Sequence, residues 1–452
     1  MITLQELVHG YSPPDTWQRF KLHHIFRVRK GFKNTGIQEG NLLSLSYGRI
    51  VEKDIDAEGG LLPESFETYQ IVEPGNIVMR LTDLQNDKRS LRQGLVMKRG
   101  IITSAYDALE VSNDHDSRFW AYALLALDLA KYYYSLGGGV RQSIKFADFP
   151  NTWLGASDLP TQKRIAYFID RETARIDQLI EKKQRLVKLL EERRSAIITA
   201  AVTKGLDPNT TMKDSGVEWL GVIPQAWKVM RFKRLITGGL ANGLFKKKEF
   251  FGSGIKLLNV FDVYRKNFIV DHRSLDRVVV DETELQRYAV YSGDIFFVRS
   301  SLKLEGVGRS VCAMKIREPM VFECHIVRAR PSQQIISPRF LIYFLNSIPA
   351  SNRLISLANL VTMATIAQNK IMDLEVPLPS LNEQDRITAV LDRESEKTDS
   401  LEDKIADSIE KLREFRSALI TAAVTGQIDV ETWSKRGNTE RRLESIEKEK
   451  RT

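Results

Sequence analysis

The chain has 452 residues, of which 42% are hydrophobic and 28% charged, values typical of a globular protein with two to four domains. Its net charge of +9 favours an acidic partner, most often nucleic acid. Two cysteines exclude a disulfide framework, and a sequence with neither a signal-peptide pattern nor a long uncharged apolar run predicts a cytoplasmic protein without membrane contact.

Residues 1–158 predict a first globular domain with a mixed α/β fold in which strands dominate. Its Pro14-Asp15-Thr16-Trp17 motif precedes a short run of β-type residues, and Gly75-Asn76 predicts a turn into a strand. Arg118-Phe119 with Tyr122 begins a short amphipathic helix. All three features recur later in the chain.

A long helix is predicted over residues 159–207, and a similar sequence occurs a second time later in the chain. The stretch aligns with residues 381–429 at a constant offset of 222, with 22 identities among 49 positions. Good helix formers dominate both copies, and proline is absent after Pro160 in the first and throughout the second. Helices of about 60–65 Å are longer than a small domain is wide, so they predict two spacers.

Apolar residues of both helices recur with a heptad-like period and form one narrow seam. A seam of this width needs another helix to cover it, and the natural partner is the other copy. The predicted seam residues are Ile169, Ile176, Leu179, Leu186, Leu190, Ile197, Leu391, Leu401, Ile405, Leu412, Phe415 and Leu419.

Residues 208–380 predict a second mixed α/β domain that begins with a short linker, 208–216. Landmarks of the first domain return here in the same order, at Pro224-Gln225-Ala226-Trp227, Gly293-Asp294 and Arg339-Phe340 with Tyr343. Most residues between the landmarks differ, which indicates a duplicated scaffold with divergent contents. The charged tail, 430–452, is predicted to be disordered.

The order and motifs of this chain resemble those of the specificity (HsdS) subunit of type I restriction–modification systems. The resemblance is carried by Asp214-Ser215-Gly216-Val217-Glu218-Trp219-Leu220-Gly221 at a domain entry, Asn382-Glu383-Gln384 at a helix start and Arg416-Ser417-Ala418-Leu419-Ile420-Thr421 near a helix end. Two departures occur. The first domain lacks the Trp-Leu-Gly element, and Thr161 stands where the family usually has Glu.

The resemblance implies an α/β (α+β) protein with two strand-rich target recognition domains and two antiparallel coiled-coil helices in a pseudo-two-fold repeat. Each recognition domain would read one half of a split target in double-stranded DNA. The helices would set the half-site spacing and dock two methyltransferase (HsdM) subunits, which use S-adenosylmethionine. Two restriction subunits (HsdR), which use ATP and Mg²⁺, would complete the nuclease.

A separate search of the sequence for catalytic motifs supports a non-catalytic chain that binds no cofactor itself. It contains no GxxxxGK[ST] loop, HExxH motif or cysteine–histidine cluster, so no metal site is predicted. Ser12-Pro13-Pro14-Asp15 is the nearest approach to the [NDS]PP-aromatic motif of adenine methyltransferases, and it lacks the aromatic residue that stacks on the base.

Basic loops with amide side chains are the candidates for DNA contact, because cations bind phosphates while Arg, Asn and Gln read base edges. Those of the first domain are Arg29, Lys30, Lys33, Lys88, Arg89, Arg92, Arg141, Gln142 and Lys145. Those of the second are Asn242, Lys246, Lys247, Lys248, Arg299, Lys303, Thr365 and Gln368. Two other functions remain open: a helical scaffold or DNA-binding protein without a methylation role, and a fused methyltransferase, against which the missing cofactor motif argues.

Overall fold

The computed structural model describes residues 13–55, 63, 65–82, 84, 91–136, 143–360, 362–436, 441, 445, 446 and 448. Helices and strands alternate through both halves, which confirms the predicted mixed fold. Within these residues no helix is long and apolar enough to cross a membrane.

The first half runs from strand β1 to the first long helix. Its elements are β1 (Gln18–Lys21), α1 (Leu22–Ile25), β2 (Phe26–Val28), β3 (Leu42–Ser46), β4 (Arg49–Lys53), β5 (Gln70–Val72), β6 (Ile77–Met79), β7 (Gln93–Leu95), β8 (Gly100–Ile102), β9 (Asp107–Val111), α2 (Ser117–Leu129), α3 (Tyr132–Leu136), a 3₁₀ turn (Phe146–Asp148), β10 (Trp153–Ala156) and α4 (Leu159–Lys204).

The second half repeats this plan and ends with a short additional helix. Its strands are β11 (Met212–Asp214), β12 (Val222–Pro224), β13 (Lys228–Arg231), β14 (Ile236–Asn242), β15 (Phe251–Leu258), β16 (Asp276–Val278), β17 (Ile295–Val298), β18 (Ser300–Ser301), β19 (Ser310–Cys312), β20 (Met320–Phe322), β21 (Ile326–Pro331), β22 (Asn359–Leu360), β23 (Ala364–Thr365) and β24 (Glu375–Leu378). Its α-helices are α5 (Glu282–Tyr288), α6 (Pro338–Leu345), α7 (Ile348–Ser356), α8 (Gln368–Met372), α9 (Leu381–Val424) and α10 (Val430–Arg436), and its 3₁₀ turns are Phe232–Arg234, Lys248–Phe250, Val260–Val263 and Leu304–Gly306.

The chain divides into two compact units, and the division falls inside both long helices. Unit 1 comprises Met1–Gln184 and Lys404–Thr452, and unit 2 comprises Arg185–Asp403. Each unit therefore contains one of the predicted globular domains and half of each helix, whereas the sequence treats the helices as separate segments. The predicted domain boundaries at 158, 207, 380 and 429 all fall close to ends of the long helices.

Three sheets of unit 1 have counterparts in unit 2, which also contains the sheets β11-β12 and β18-β23-β22. A two-stranded antiparallel sheet joins the start of the domain to its end, β1 with β10 in unit 1 and β13 with β24 in unit 2. A four-stranded antiparallel sheet follows, in the order β2-β9-β6-β7 or β14-β21-β17-β19. The third sheet contains a parallel pair in both units, β3 with β8 and β15 with β20. The structure thus extends the repeat to segments whose sequences have diverged.

The repeated Gly-Asn and Gly-Asp motifs form the predicted turns into buried strands. Gly75 and Gly293 have φ angles of +91° and +95°, which glycine adopts without steric cost. Asn76 Oδ1 accepts a hydrogen bond from the Glu73 amide (2.8 Å), and Asp294 Oδ2 accepts one from the Tyr291 amide (2.8 Å). The second turn is reinforced because Arg330 binds both oxygens of the buried Asp294 carboxylate at 2.7 and 2.9 Å.

Both long helices begin with a side-chain cap. The Asp158 carboxylate accepts a hydrogen bond from the Thr161 amide (3.2 Å), and the Ser380 hydroxyl accepts one from the Glu383 amide (3.3 Å). Thr161, the residue that departs from the family pattern, is therefore paired with an acidic cap, whereas Glu383 is paired with a neutral one. Each helix keeps one carboxylate near its positive N-terminal dipole.

Both long helices also end against the Pro-x-x-Trp motif that opens a domain. Gly205 follows α4 and Gly426 lies just beyond α9, with φ angles of +79° and +72°. A Cβ atom at Gly426 would lie 2.6 Å from Pro14 Cδ and 3.0 Å from the Trp17 ring, and one at Gly205 would lie 3.6 Å from the Trp227 ring. The Pro-x-x-Trp motif at residues 14–17 and 224–227 thus marks the two places where the end of a long helix packs on the start of a domain.

Within each unit the helix halves run antiparallel and are joined by the same ion pair. In unit 1, Arg416 Nε lies 3.0 Å from Asp177 Oδ1. In unit 2, an Arg194 guanidinium nitrogen lies 2.7 Å from Asp399 Oδ1. Both residues of one pair are related to those of the other by the offset of 222. The internal repeat is therefore also a repeat of interhelical contacts.

The predicted seam agrees with burial near the outer parts of the helices and departs from it at two central positions. Ile169, Ile176, Leu391, Leu412 and Leu419 are buried, and Leu179, Leu190, Ile197, Ile405 and Phe415 are partly buried. Leu186 and Leu401 are instead 46% and 48% exposed.

The central contact row of α9 passes through Glu402 and Ile409 rather than through Leu401 and Ile405. A straight α-helix drifts by about 20° per heptad against a 3.5-residue repeat, so a seam extrapolated over several turns moves off the contact face. Burial of Glu402 is offset by Lys266, whose ammonium lies 2.7 Å from the carboxylate.

The start of the C-terminal tail is ordered, which corrects the disorder predicted for residues 430–452. Helix α10 packs on α4 within unit 1, where the Trp433 and Phe168 rings meet edge to face with their centroids 6.4 Å apart. Glu431 also lies 3.4 Å from Arg164. Val430 and Trp433 are three residues apart and supply the apolar face that the charged composition conceals.

Replacing Leu412 by Asp tests the helix contact of unit 1. Leu412 is fully buried, so the substitution leaves an unpaired carboxylate in an apolar contact and should cost about 3–5 kcal/mol of folding free energy. Leu401→Asp on the same helix is the matched control because Leu401 is 48% exposed. Thermal and urea unfolding followed by circular dichroism should show a large loss for the first variant and a small one for the second. Equal losses would contradict the assignment of the contact face.

Candidate nucleic-acid interface

Three polar side chains from distant parts of unit 2 meet at the protein surface. Asn242 ends β14, Arg299 follows β17, and Gln368 begins α8. Asn242 Oδ1 accepts hydrogen bonds from Gln368 Nε2 (2.7 Å) and from an Arg299 guanidinium nitrogen (3.3 Å). We call these three residues the polar cluster. Arg, Asn and Gln are the side chains that form paired hydrogen bonds with guanine and adenine edges.

The backbone around Arg299 is held on both sides, so its side chain starts from a fixed position. Strand β17 is fully buried up to Val298. The Arg299 amide then donates to the His325 carbonyl (2.9 Å), and the Arg299 carbonyl accepts from the Ile366 amide (3.0 Å). Since β18 pairs with β23, Thr365 lies opposite Ser300, beside the cluster. The side chains of Arg299 and Thr365 are exposed.

The neighbouring lysines differ in how much of their charge is available. Lys247, Lys248 and Lys303 are exposed. Lys246 is only 17% exposed, pairs with Glu284 at 2.8 Å and lies over the Phe250 ring at 4.7 Å. Lys246 therefore has a structural role, which corrects its place among the predicted DNA contacts.

A cleft of about 910 Å³ lies next to the polar cluster in unit 2. Its wall includes Ser300 and Lys303 together with residues that the sequence reasoning missed, among them Phe261, Tyr264, Arg309 and His325. Phe261 and Tyr264 are 59% and 48% exposed. Exposed aromatic rings beside cations suit a nucleic-acid strand, because rings stack on bases and cations bind phosphates. Such aromatic residues cannot be distinguished from core residues by sequence pattern alone.

In unit 1, three of the predicted contacts are exposed and two are committed to the fold. Lys30, Lys33 and Lys145 are exposed. The side chain of Arg29 is 9% exposed, pairs with Glu110 at 2.5 Å and lies 3.9 Å from the Phe32 ring. The predicted contacts Lys88, Arg89, Arg141 and Gln142 lie outside the described residues.

Arg92 is fully buried, and its prediction as a DNA contact is corrected. A guanidinium nitrogen donates to the Thr82 carbonyl (3.1 Å), and its amide donates to the Asp128 carboxylate (2.7 Å). A loop of basic residues next to a strand looks the same in sequence whether its arginine points outward or inward. The burial of the Arg92 side chain and its hydrogen bond to the Thr82 carbonyl show that it points inward.

In the described part of unit 2, the buried Cys312 thiol and the group formed by Glu323, Cys324 and His325 have structural surroundings. Burial raises the pKa of the Cys312 thiol to about 12, so the thiol stays protonated at neutral pH. Glu323, Cys324 and His325 could offer three ligand atoms within 4.8 Å of one another. The Glu323 carboxylate, however, already accepts hydrogen bonds from the amides of Val260 (3.0 Å) and His325 (3.3 Å).

Comparison with known proteins shows what the chain is similar to. The model of the type I restriction modification DNA specificity domain matches residues 224–411. The MjaVIII specificity subunit of Methanocaldococcus jannaschii is 23% identical over 94% of this chain and 95% of its own length. Both similarities are to specificity (HsdS) subunits of type I restriction–modification systems.

Other similarities are to proteins of the same type I systems. The EcoKI specificity subunit of Escherichia coli K12 is 24% identical over 65% of this chain, and the match spans 62% of that relative, about three fifths of its length. A chain from a structure concerning complex assembly and conformational transition of the type I R-M system superimposes with a TM-score of 0.68 over 92% of this chain and all of that chain, at 14% identity. This structural likeness establishes the shared fold.

Removing the Arg299 side chain tests the polar cluster. We expect Arg299→Ala to weaken binding to the target duplex by about 10- to 100-fold, because a lost base-reading pair costs about 1–3 kcal/mol. Arg273→Ala is the matched control, since the Arg273 side chain in the same unit is 96% exposed and remote in sequence from the three cluster residues. Fluorescence anisotropy with a labelled duplex should show less than about a twofold change for the control. Equal weakening by both variants would reduce Arg299 to a general phosphate contact.

Proposed function

We propose that this chain is the DNA specificity subunit of a type I restriction–modification complex and that each unit reads one half of a split DNA target. The observation that carries the proposal is the polar cluster, which brings Asn242, Arg299 and Gln368 together on a surface beside exposed lysines. The match of residues 224–411 to the DNA specificity domain and the net charge of +9 support the same function.

The proposed role is recognition without catalysis. S-adenosylmethionine would be bound by the modification subunit, and ATP and Mg²⁺ by the restriction subunit. The relatives compared above are specificity subunits of type I restriction enzymes, which agrees with a chain that selects DNA rather than modifying it. The high pKa of Cys312 also argues against thiol chemistry in the core of unit 2.

The proposed partners are double-stranded DNA, two methyltransferase (HsdM) subunits and two restriction (HsdR) subunits. Docking of methyltransferase subunits on the long helices is supported by apolar side chains exposed there. These are Tyr167 in unit 1 and Leu186, Leu189, Val390 and Leu401 in unit 2. Apolar residues exposed along a helix commonly mark a protein interface. The continuous helices, of 46 and 44 residues, would serve as the ruler between the half-sites.

Reconstitution with a methyltransferase subunit tests the function. The isolated chain should transfer no methyl group, whereas the complex should methylate a split sequence that single-molecule sequencing of the source genome identifies. DNA affinity should fall steeply between 50 and 200 mM salt, by about 10³-fold or more if six or more phosphates are contacted. Methyl transfer by the isolated chain would overturn the non-catalytic role. Failure to bind any methyltransferase subunit would favour a scaffold or another DNA-binding function.

Exchanging one recognition domain tests whether the halves read DNA independently. We expect replacement of residues 215–380 by the matching block of another family member to change one half-site and to leave the other half-site unaltered. The physical reason is that the polar cluster and its cleft lie wholly within unit 2. Methylome mapping of cells carrying the chimera is the measurement. A change in both half-sites would contradict independent reading.

A further inference from the structure

The interhelical arginine of unit 2 makes one contact that its counterpart in unit 1 does not. Arg194 and Arg416 are related by the repeat, and each pairs with an aspartate on the opposite helix. A second guanidinium nitrogen of Arg194 also donates to the Lys266 carbonyl (2.7 Å). Among the described residues, both contacts of Arg416 go to Asp177. Arg194 therefore joins the two helices to a segment of the second globular domain.

A second scaffold arginine shows the same asymmetry. Arg118 and Arg339 stand at matching positions and pair with Asp170 and Asp392, which are again 222 residues apart. Arg339 additionally donates to the Asn267 carbonyl (3.0 Å). In the described part of unit 1, the contacts of Arg118 are to Asp116 and Asp170. Two scaffold arginines thus converge on adjacent carbonyls of one loop.

We define residues 264–268 as the docking loop. Besides its two carbonyls, it is held by Lys266, whose ammonium lies 2.6 Å from Glu191 on α4 and 2.7 Å from Glu402 on α9. The Phe268 ring packs on the ring of Tyr343, with centroids 6.1 Å apart. Phe268 has a φ angle of +58°, an unfavourable value for a bulky residue that persists only when its surroundings hold it.

The other face of the docking loop belongs to the cleft. Tyr264, Arg265 and Phe268 line the cleft opposite Ser300 and Lys303, which border the polar cluster. The loop therefore connects the helix pair to the surface that carries the polar cluster by a short path of direct contacts. In unit 1, the domain reaches the aspartate of the interhelical ion pair in a different way. Arg49, whose side chain is 68% exposed, contacts Asp177 through one ion pair of 3.0 Å.

We propose that Arg194 and Arg339, acting through the docking loop, are positioning residues that fix the orientation of the second recognition domain on the helix pair and so restrict the spacing allowed between the two half-sites. The proposal rests on the function proposed above. Two hydrogen bonds from buried or half-buried charged donors to adjacent carbonyls restrain both position and rotation, whereas one exposed ion pair restrains neither strongly. The half-site sequence itself is read elsewhere, by the polar cluster.

The test compares Arg194→Met with Arg416→Met in the complex with methyltransferase subunits. Both variants lose the same interhelical ion pair, but only the first loses the contact with the docking loop. We expect Arg194→Met to keep both half-site sequences. For targets whose spacer is one base pair longer or shorter, the methylation rate divided by the rate on the normal spacer should be about tenfold higher in this variant than in the wild-type complex. Arg416→Met should retain the wild-type spacer preference. An unchanged preference in Arg194→Met, or equal relaxation in both variants, would overturn the proposal.

Lys266→Ala keeps the proposal testable if Arg194→Met does not fold. The Lys266 side chain is 60% exposed, so its removal spares the core while releasing Glu191 and Glu402. It should relax the spacer in the same direction but less, and Lys228→Ala, which removes an exposed lysine outside both the loop and the DNA-binding surface, should leave the spacer unchanged. An unchanged spacer in folded Lys266→Ala, with Arg194→Met unfolded, would also overturn the proposal. The wild-type complex distinguishes failure of this proposal from failure of the proposed function. If the wild-type complex does not methylate a split site, the proposed function is refuted.

Discussion

Each unit depends on an arginine that reaches from one long helix to an aspartate on the other. Arg416 with Asp177 and Arg194 with Asp399 hold an antiparallel contact whose centre contains polar as well as apolar groups. A charged pair of this kind favours one register, because a shift along the helix would leave a partly buried guanidinium without its partner. The positions of the domains on the helices follow from that register.

The domains are attached to the helices by a second set of contacts that is repeated in both units. Gln162 and Gln384 are both fully buried near the start of a long helix, and each accepts a hydrogen bond from an amide that precedes a domain helix, that of Asp116 at 3.0 Å and that of Ser337 at 2.7 Å. Tyr122 likewise donates to Asp170 (2.6 Å), and Tyr343 donates to Asp392 (2.6 Å). These contacts explain why the landmarks survive while the residues between them diverge. Surfaces that touch neither helix are free to change what they bind.

The long helices and the duplicated plan could be predicted from the sequence because both depend on local patterns, namely helix-forming residues, a heptad-like period and Gly-Asx turns. Sequence reasoning named all three residues of the polar cluster but did not predict that they lie together. Their proximity depends on contacts between residues that are 57 and 126 positions apart in the chain. It misplaced Arg92 and Lys246 because basic residues in loops look alike until their partners are known. It also missed the helical start of the tail, since two apolar residues in a charged segment carry little periodic signal.

The division of the chain between the two units has a consequence for folding during synthesis. Unit 2 is one continuous segment, Arg185–Asp403, whereas the core of unit 1 joins residues such as Phe119 and Ile169 to Leu419 and Ile420 near the opposite end of the chain. Domains fold as units when their residues have emerged from the ribosome. The half of the protein made first must therefore wait for nearly the whole chain before its core is complete. Until then the apolar face of its helix is without its native cover, so the core of unit 1 is completed only after that of unit 2 can form.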